Sequence, residues 1–193
     1  MRRLGALVGI LILPLLLAGQ CNVPVQSSNP AYNRTDWGDW IDQGHGCNTR
    51  ELVIKDSGDN VVVDKNCKAI HGTWTSLYDN IVVTDSSKLD IDHIVPLKEA
   101  SDSGGANWSK AKKSEFYNDL DNLVAVTFAS NRSKGDKDPA KWLPIPDERC
   151  SYALRYTRIK NDYGLTYDQT EKQVLLSLRC KGVNIYNETP FAG

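Results

Sequence analysis

Asp92-His93-Ile94-Val95-Pro96 sets an acid beside a base in a stretch that ends at proline. A carboxylate is a hard oxygen ligand for a divalent ion, and imidazole titrates near neutral pH. Such a pair can hold a cation and take a proton from a nearby water. Each residue also has a plainer explanation, Asp92 as a turn cap and His93 as a satisfied structural histidine. Two more polar strings follow in order. Asp121-Asn122-Leu123-Val124-Ala125-Val126 places Asn122 29 residues past His93, and Asn131-Arg132-Ser133-Lys134-Gly135-Asp136 begins 38 past it.

The elements that must position these residues have recognisable patterns. Leu89–Val95 alternates apolar and polar, as a half-buried strand does, and Pro96 ends it. Leu123–Phe128 is a short apolar strand. A helix begun near Ser130 is stopped by Gly135. Further strands are expected at Val61–Val63, Lys68–Trp74 and Ile81–Thr84, with a turn at Ser57–Asn60. Ser109–Leu120 has helical character, and Tyr32–Trp40 suggests a surface arm or a short helix. Asp138-Pro139 supplies an N-cap and a proline at the first helical position. Cys150–Asn161 and Asp168–Cys180 are the strongest helices, the second opening with the capping-box spacing Asp168/Glu171. The fold class is therefore α+β, strands first and helices after.

The 193 residues begin with Arg2 and Arg3, followed by the apolar run Leu4–Ala18, which contains Pro14. That run is too short for the roughly 20 apolar residues of a membrane span and reads as an export signal over 1–20. Residues 21–31 read as a flexible linker, 32–182 as one domain and 183–193 as a tail. A chain of this size buries roughly 70% of its extended surface. After the signal, 21 basic face 24 acidic side chains, net −3, which excludes a broadly basic binder.

Cys47, Cys67, Cys150 and Cys180 form an even set in an exported chain, where disulfides are expected. Three pairings are open; the local one, Cys47–Cys67 with Cys150–Cys180, is preferred. Zinc is the competing use, against which no C-x-x-C pair exists. Cys21 lies at the signal junction. A lipoprotein signal would anchor the chain to a membrane through a lipid there, but Gln20 puts the small residues one position off. Secretion is the primary expectation and a lipid-anchored cell-surface protein the alternative.

The ordered strings D-H-I-V-P, D-N-L-V-A-V and N-R-S-K-G-D resemble the HNH, or ββα-metal, endonucleases. More narrowly, the chain is similar to the secreted HNH proteins related to the C-terminal domain of GmrSD restriction enzymes. Tyr32-Asn33-Arg34 with Trp37-Gly38, Cys47-Asn48-Thr49-Arg50, Gly72-x-Trp74 with Tyr78-Asp79, and Asp138-Pro139-Ala140-x-Trp142 fit the same resemblance, which spans about 32–180. It implies a ββα-metal core with N-terminal strands and C-terminal helices. By position it implies Asp92 as metal ligand, His93 as general base and Asn122 as the residue that orients the base's loop. Asn131 is implied as a second metal ligand, at a position where many relatives carry His.

The chemistry of these residues stands beside the name. Phosphodiester hydrolysis needs a deprotonated water, counter-charge for the phosphorane and help for the leaving 3′-oxygen. His93 suits the first task. Two oxygen donors, Asp92 and Asn131, suit Mg²⁺, with Mn²⁺ as the substitute, better than Zn²⁺. Arg132 and Lys134 would neutralise flanking phosphates, unless they merely form a solvated charged face. Residues 21–92 carry net −5 (6 basic, 11 acidic) and residues 93–142 net +1 (8 basic, 7 acidic), which suits a locally basic cleft and salt-sensitive binding. No base-reading module is present, so low sequence specificity is expected. The expected protein is a monomeric, secreted, metal-dependent endonuclease acting on DNA, with RNA as the second candidate substrate. The alternatives are a binding lipoprotein that keeps the fold without turnover, and a nuclease toxin. Asn131-Arg-Ser is also one of four glycosylation sequons, and a glycan there would destroy the metal site.

Overall fold

The computed structural model describes residues 30–185. The expected signal, Cys21 and most of the linker and tail lie outside the described residues. A short 3-10 helix, Arg34–Trp37, opens the arm and is capped by the Asn33 side chain. Helix α1 (Thr49–Ser57) follows, in a stretch that carried no assignment from its apolar pattern. What makes it a helix is its cap: Asn48 and Glu51 form a reciprocal capping box, satisfying two orphan N–H groups.

Strands β1 (Asp59–Val63), β2 (Ala69–Thr75) and β3 (Val82–Val83) form an antiparallel sheet in that order. The expected turn at Ser57–Asn60 is shorter than anticipated, since Asp59 and Asn60 already belong to β1. Gly72 is required in β2, because a Cβ there would lie 2.7 Å from the Trp74 ring.

Strand β4 (Leu89–His93) is followed by helix α2 (Leu97–Asp102) and helix α3 (Lys110–Tyr117) before strand β5 (Leu123–Thr127) returns to pair with it. The register sets Asp90 opposite Val126 and Asp92 opposite Val124. Helix α4 (Phe128–Lys134) starts directly from the end of β5, where Thr127 caps it, and stops at Gly135 with φ +56°. The alternation of β4 divides its residues between two environments. Leu89 and Ile91 join a cluster with Ile54, Trp74 and Ala125. Asp90 and Asp92 share the other face with Val124 and Val126, which belong to the larger core.

Asp138-Pro139 does not begin a helix. The carbonyl of Asp138 accepts from the N–H groups of Lys141 and Trp142, and the coil stops after that single turn. Helices α5 (Arg149–Asp162) and α6 (Gln169–Ser177) complete the chain, the second with the Asp168/Glu171 capping box its spacing predicts. Both local disulfides are present, Cys47–Cys67 with Cα atoms 5.0 Å apart and Cys150–Cys180 with 5.3 Å. The fold is mixed α+β, as expected, but helices and strands are interleaved rather than strands first, since α1 precedes β1 and α2 and α3 fall between β4 and β5.

Candidate functional site

A cleft of about 320 Å³ lies where β4, α4 and the N-terminal arm meet. Asp92, His93, Asn131 and Arg132 line it together, with Arg34, Lys98 and Asp136. Four of the six expected site residues are thus brought to one place. Asn122 and Lys134 are not in its lining.

His93, the last residue of β4, is only 4% exposed. Its Nε2 lies 2.8 Å from the Tyr117 carbonyl oxygen. A carbonyl only accepts, so Nε2 carries the proton and the lone pair of the neutral ring falls on Nδ1. Burial pushes the imidazole down to about 3. The Tyr117 carbonyl opposes this, while Arg34 and Lys134 push the same way. The ring is neutral throughout the ordinary pH range. Trp40 stacks on it at 5.8 Å with planes 7° apart, and Tyr117 closes its edge at 4.9 Å.

Asp92 has one oxygen occupied. Its Oδ2 accepts from the Tyr78 hydroxyl at 2.7 Å and pairs with the Lys134 ammonium at 2.6 Å. Among the described residues no hydrogen bond engages Oδ1. Asn131 is similar: its Nδ2 donates to Asp90 Oδ2 at 2.9 Å. An ionised carboxylate cannot donate, so the amide orientation is settled and Oδ1 of Asn131 is the end left over. Asp90 and Asp92, two apart on β4, meet Asn131 and Lys134, three apart on α4. A strand repeat of two thus matches a helical repeat of three across one interface.

Lys134 requires a correction. It was expected at the surface, facing phosphate, but it is 0% exposed and donates to the His93 carbonyl at 2.8 Å while pairing with Asp92. The face of α4 that carries Asn131 also carries Lys134, and that face packs on β4 rather than on solvent. Loss of hydration lowers the ammonium's pKa, which Asp92 partly restores. Asn122 lies outside the cleft, behind the segment that carries the base. It is fully buried, its Oδ1 accepts from the Val95 N–H at 2.9 Å and its Nδ2 donates to the Val95 carbonyl at 3.3 Å. It therefore acts as a clamp on the chain just after His93 and has no contact with the cleft. Arg132 is exposed as expected, with its guanidinium 5.8 Å over Phe128.

The residues that sequence reasoning missed are Arg34, Trp40, Tyr78 and Asp90. Arg34 and Tyr78 stand in the family-like strings but were given no role there. Asp90 was legible in principle, since the β4 alternation puts it on the face of Asp92. Trp40 had no signal beyond its type.

Two comparisons bear on identity. A relative from Arthroderma benhamiae, described as an uncharacterized secreted protein, is 40% identical over 166 residues, covering 84% of this chain and 81% of its own length. No solved structure matches the chain. The family described as GmrSD restriction endonucleases, C-terminal domain, matches residues 52–178, a span that holds the β4–β5–α4 unit and all six expected site residues, and the chain belongs to that family.

Proposed function

We propose that this protein is a secreted, metal-dependent endonuclease that hydrolyses phosphodiester bonds in DNA and RNA with little sequence specificity. In this proposal β4, β5 and α4 are a ββα-metal core. The observation that carries it is the pairing of a buried neutral imidazole, with its lone pair on Nδ1, and two unengaged oxygens, Asp92 Oδ1 and Asn131 Oδ1, in one cleft. Family membership and the secreted relative support the class and the location, as do the two disulfides. Among the described residues no helix is long and apolar enough to cross a membrane.

The donor set fits a hard cation. Both unengaged atoms are oxygens, and among the described residues no group of three or more His, Cys, Asp or Glu side chains encloses a site. Mg²⁺ or Mn²⁺ accepts few protein ligands and fills the rest with water and phosphate oxygens. Such an ion supplies positive charge against the developing phosphorane.

The chain's own residues do the rest. His93 Nδ1 takes a proton from the attacking water as its oxygen bonds to phosphorus and the bond to the 3′-oxygen breaks. The leaving oxygen takes its proton from solvent. The Tyr117 carbonyl holds the imidazole in the required tautomer and stabilises the imidazolium that forms. Asn122 keeps His93 at its position by fixing Val95, and Lys134 with Tyr78 holds the Asp92 carboxylate. Asp90 holds Asn131.

The test is incubation of supercoiled plasmid and of structured RNA with the purified protein in Mg²⁺, in Mn²⁺ and in EDTA. Cleavage that needs the ion, and that falls about 10²–10⁴-fold in a folded His93→Ala variant, is expected. Undiminished cleavage in EDTA would overturn the metal assignment. Absence of cleavage with every ion would overturn the enzyme.

A further inference from the structure

We infer that Arg34, delivered by the N-terminal arm, binds the scissile phosphodiester beside His93, and that Arg132 binds a flanking phosphate of the same strand. The inference rests on the phosphodiesterase proposal and adds to it a residue from outside the family-matched segment 52–178.

The argument is one of unspent charge. Three cations line the cleft, Arg34, Lys98 and Arg132, with two acids, Asp92 and Asp136. Lys98 is paired with Asp102 at 2.5 Å, and Asp92 is paired with the buried Lys134. Arg34 and Arg132 have no carboxylate partner among the described residues. Two guanidinia against Asp136 leave the cleft with surplus positive charge in a chain that is acidic overall. A guanidinium matches the paired oxygens of a phosphate with two parallel N–H groups, which suits a nucleic-acid backbone.

Position separates the two arginines. Arg34 Nη2 donates to the Tyr117 hydroxyl at 3.5 Å, and its guanidinium lies 5.6 Å over the Tyr117 ring. The carbonyl of the same Tyr117 holds His93 Nε2. One residue thus places both the base and the cation, and the Arg34 charge reaches the His93 ring. The arm that carries Arg34 is held firmly. Trp37 is buried against Trp108 and Phe116, and Asn118 ties down both the Ile41 N–H and the Asp39 carbonyl. Arg132 sits one residue past Asn131, out in solvent over Phe128.

The experiment uses the full exported chain with Arg34→Gln, Arg34→Lys and Arg132→Gln, and Arg158→Gln as control. Arg158 is exposed on α5 and paired with Asp121 and Asp162. Binding of a fluorescent DNA duplex is read by anisotropy in EDTA across a salt series, and cleavage is then read with Mg²⁺. Each lost phosphate contact should flatten the slope of log K against log salt by about 0.9. Arg34→Gln and Arg132→Gln should each show that change. Arg34→Gln should lower kcat at least about tenfold, Arg34→Lys should recover part of it, and Arg132→Gln should raise KM with kcat kept. Arg158→Gln should change neither. A wild type that cleaves, with slope and kcat unaltered in a folded Arg34→Gln protein, would overturn the role of Arg34 while leaving the phosphodiesterase proposal standing. A wild type that neither binds nor cleaves nucleic acid would overturn both.

Discussion

Among the described residues two lysines are entirely buried, Lys134 beneath the cleft and Lys160 in the C-terminal helices. Their partners differ in what they have left to offer. Lys160 meets Glu171 at 2.7 and 2.9 Å and Glu99 at 2.6 Å. Glu171 is itself 1% exposed and fully used: Tyr156 donates to Oε1, and the Asp168 N–H donates to Oε2 as part of the α6 cap. Lys134 meets a single carboxylate, Asp92, which keeps one oxygen unengaged and lines the cleft. The first arrangement saturates both oxygens of Glu171 and, through Lys160 and Glu99, joins α2, α5 and α6. The second leaves a donor available to a ligand. A buried ion pair is structural when saturated and becomes usable when one of its atoms is left over.

The largest expected effect comes from breaking the saturated set. Lys160→Met strands Glu171 as a buried unpaired charge, a loss of about 3–5 kcal/mol. For a domain of this size that lowers the melting temperature by on the order of 10 °C. The folded fraction should retain its cleavage rate. A drop in melting temperature of only a degree or two would erase the contrast between the two lysines.

His93 sharpens the comparison because it is buried, like the lysines, but has no counter-charge. Its folded pKa, about 3, lies below the ordinary value of 6.5, so the unfolded chain binds the proton first as pH falls. Its contribution to stability is complete above about 6.5 and is lost as pH falls toward 3. In metal-free protein it amounts to about 2 kcal/mol between pH 7 and 5. Denaturant midpoints measured over that range should show this fall, and His93→Gln should flatten it. An equal slope in the variant would assign the acid sensitivity elsewhere.

On the cleft side, Lys134→Met should cost less stability than Lys160→Met, because Asp92 can recover water through the cleft. Its mark should be on the ion instead, with Mn²⁺ affinity reduced about tenfold in a spin-resonance titration. Equal loss of stability in the two lysine variants would refute the distinction. The smallest effect belongs to Asp90→Asn. An amide there can accept from Asn131 or donate to it, so the orientation of Asn131 is no longer enforced and Mn²⁺ affinity should fall by under about tenfold. Unchanged affinity would show that Asp90 does not orient Asn131.

Much of this was legible before any tertiary contact was known. Leu89–His93 was recognisable as a strand from its alternation, and its partner Leu123–Thr127 from its short apolar run. The Asp168/Glu171 cap and the Gly135 stop were equally plain, since capping and chain reversal depend on a few neighbours. Helix α1 escaped notice because its signal lay in the cap Asn48/Glu51 and not in its apolar residues. Asp138-Pro139 misled for the opposite reason: the cap is present, but no continuing helix follows it.

The sequence by itself determined the order of the three polar strings, the even cysteine set and the periodicities that put Asp90 with Asp92 and Asn131 with Lys134. All of these are local or countable. Only the tertiary structure decided which surface each face meets. A helical repeat states that Asn131 and Lys134 point the same way, but not that β4 lies there to bury the ammonium on Asp92 and turn the amide of Asn131 with Asp90. Nor does any local pattern state that an arm more than fifty residues upstream brings Arg34 and Trp40 to His93. Burial and pairing are properties of the surface opposite, and that surface comes from other parts of the chain.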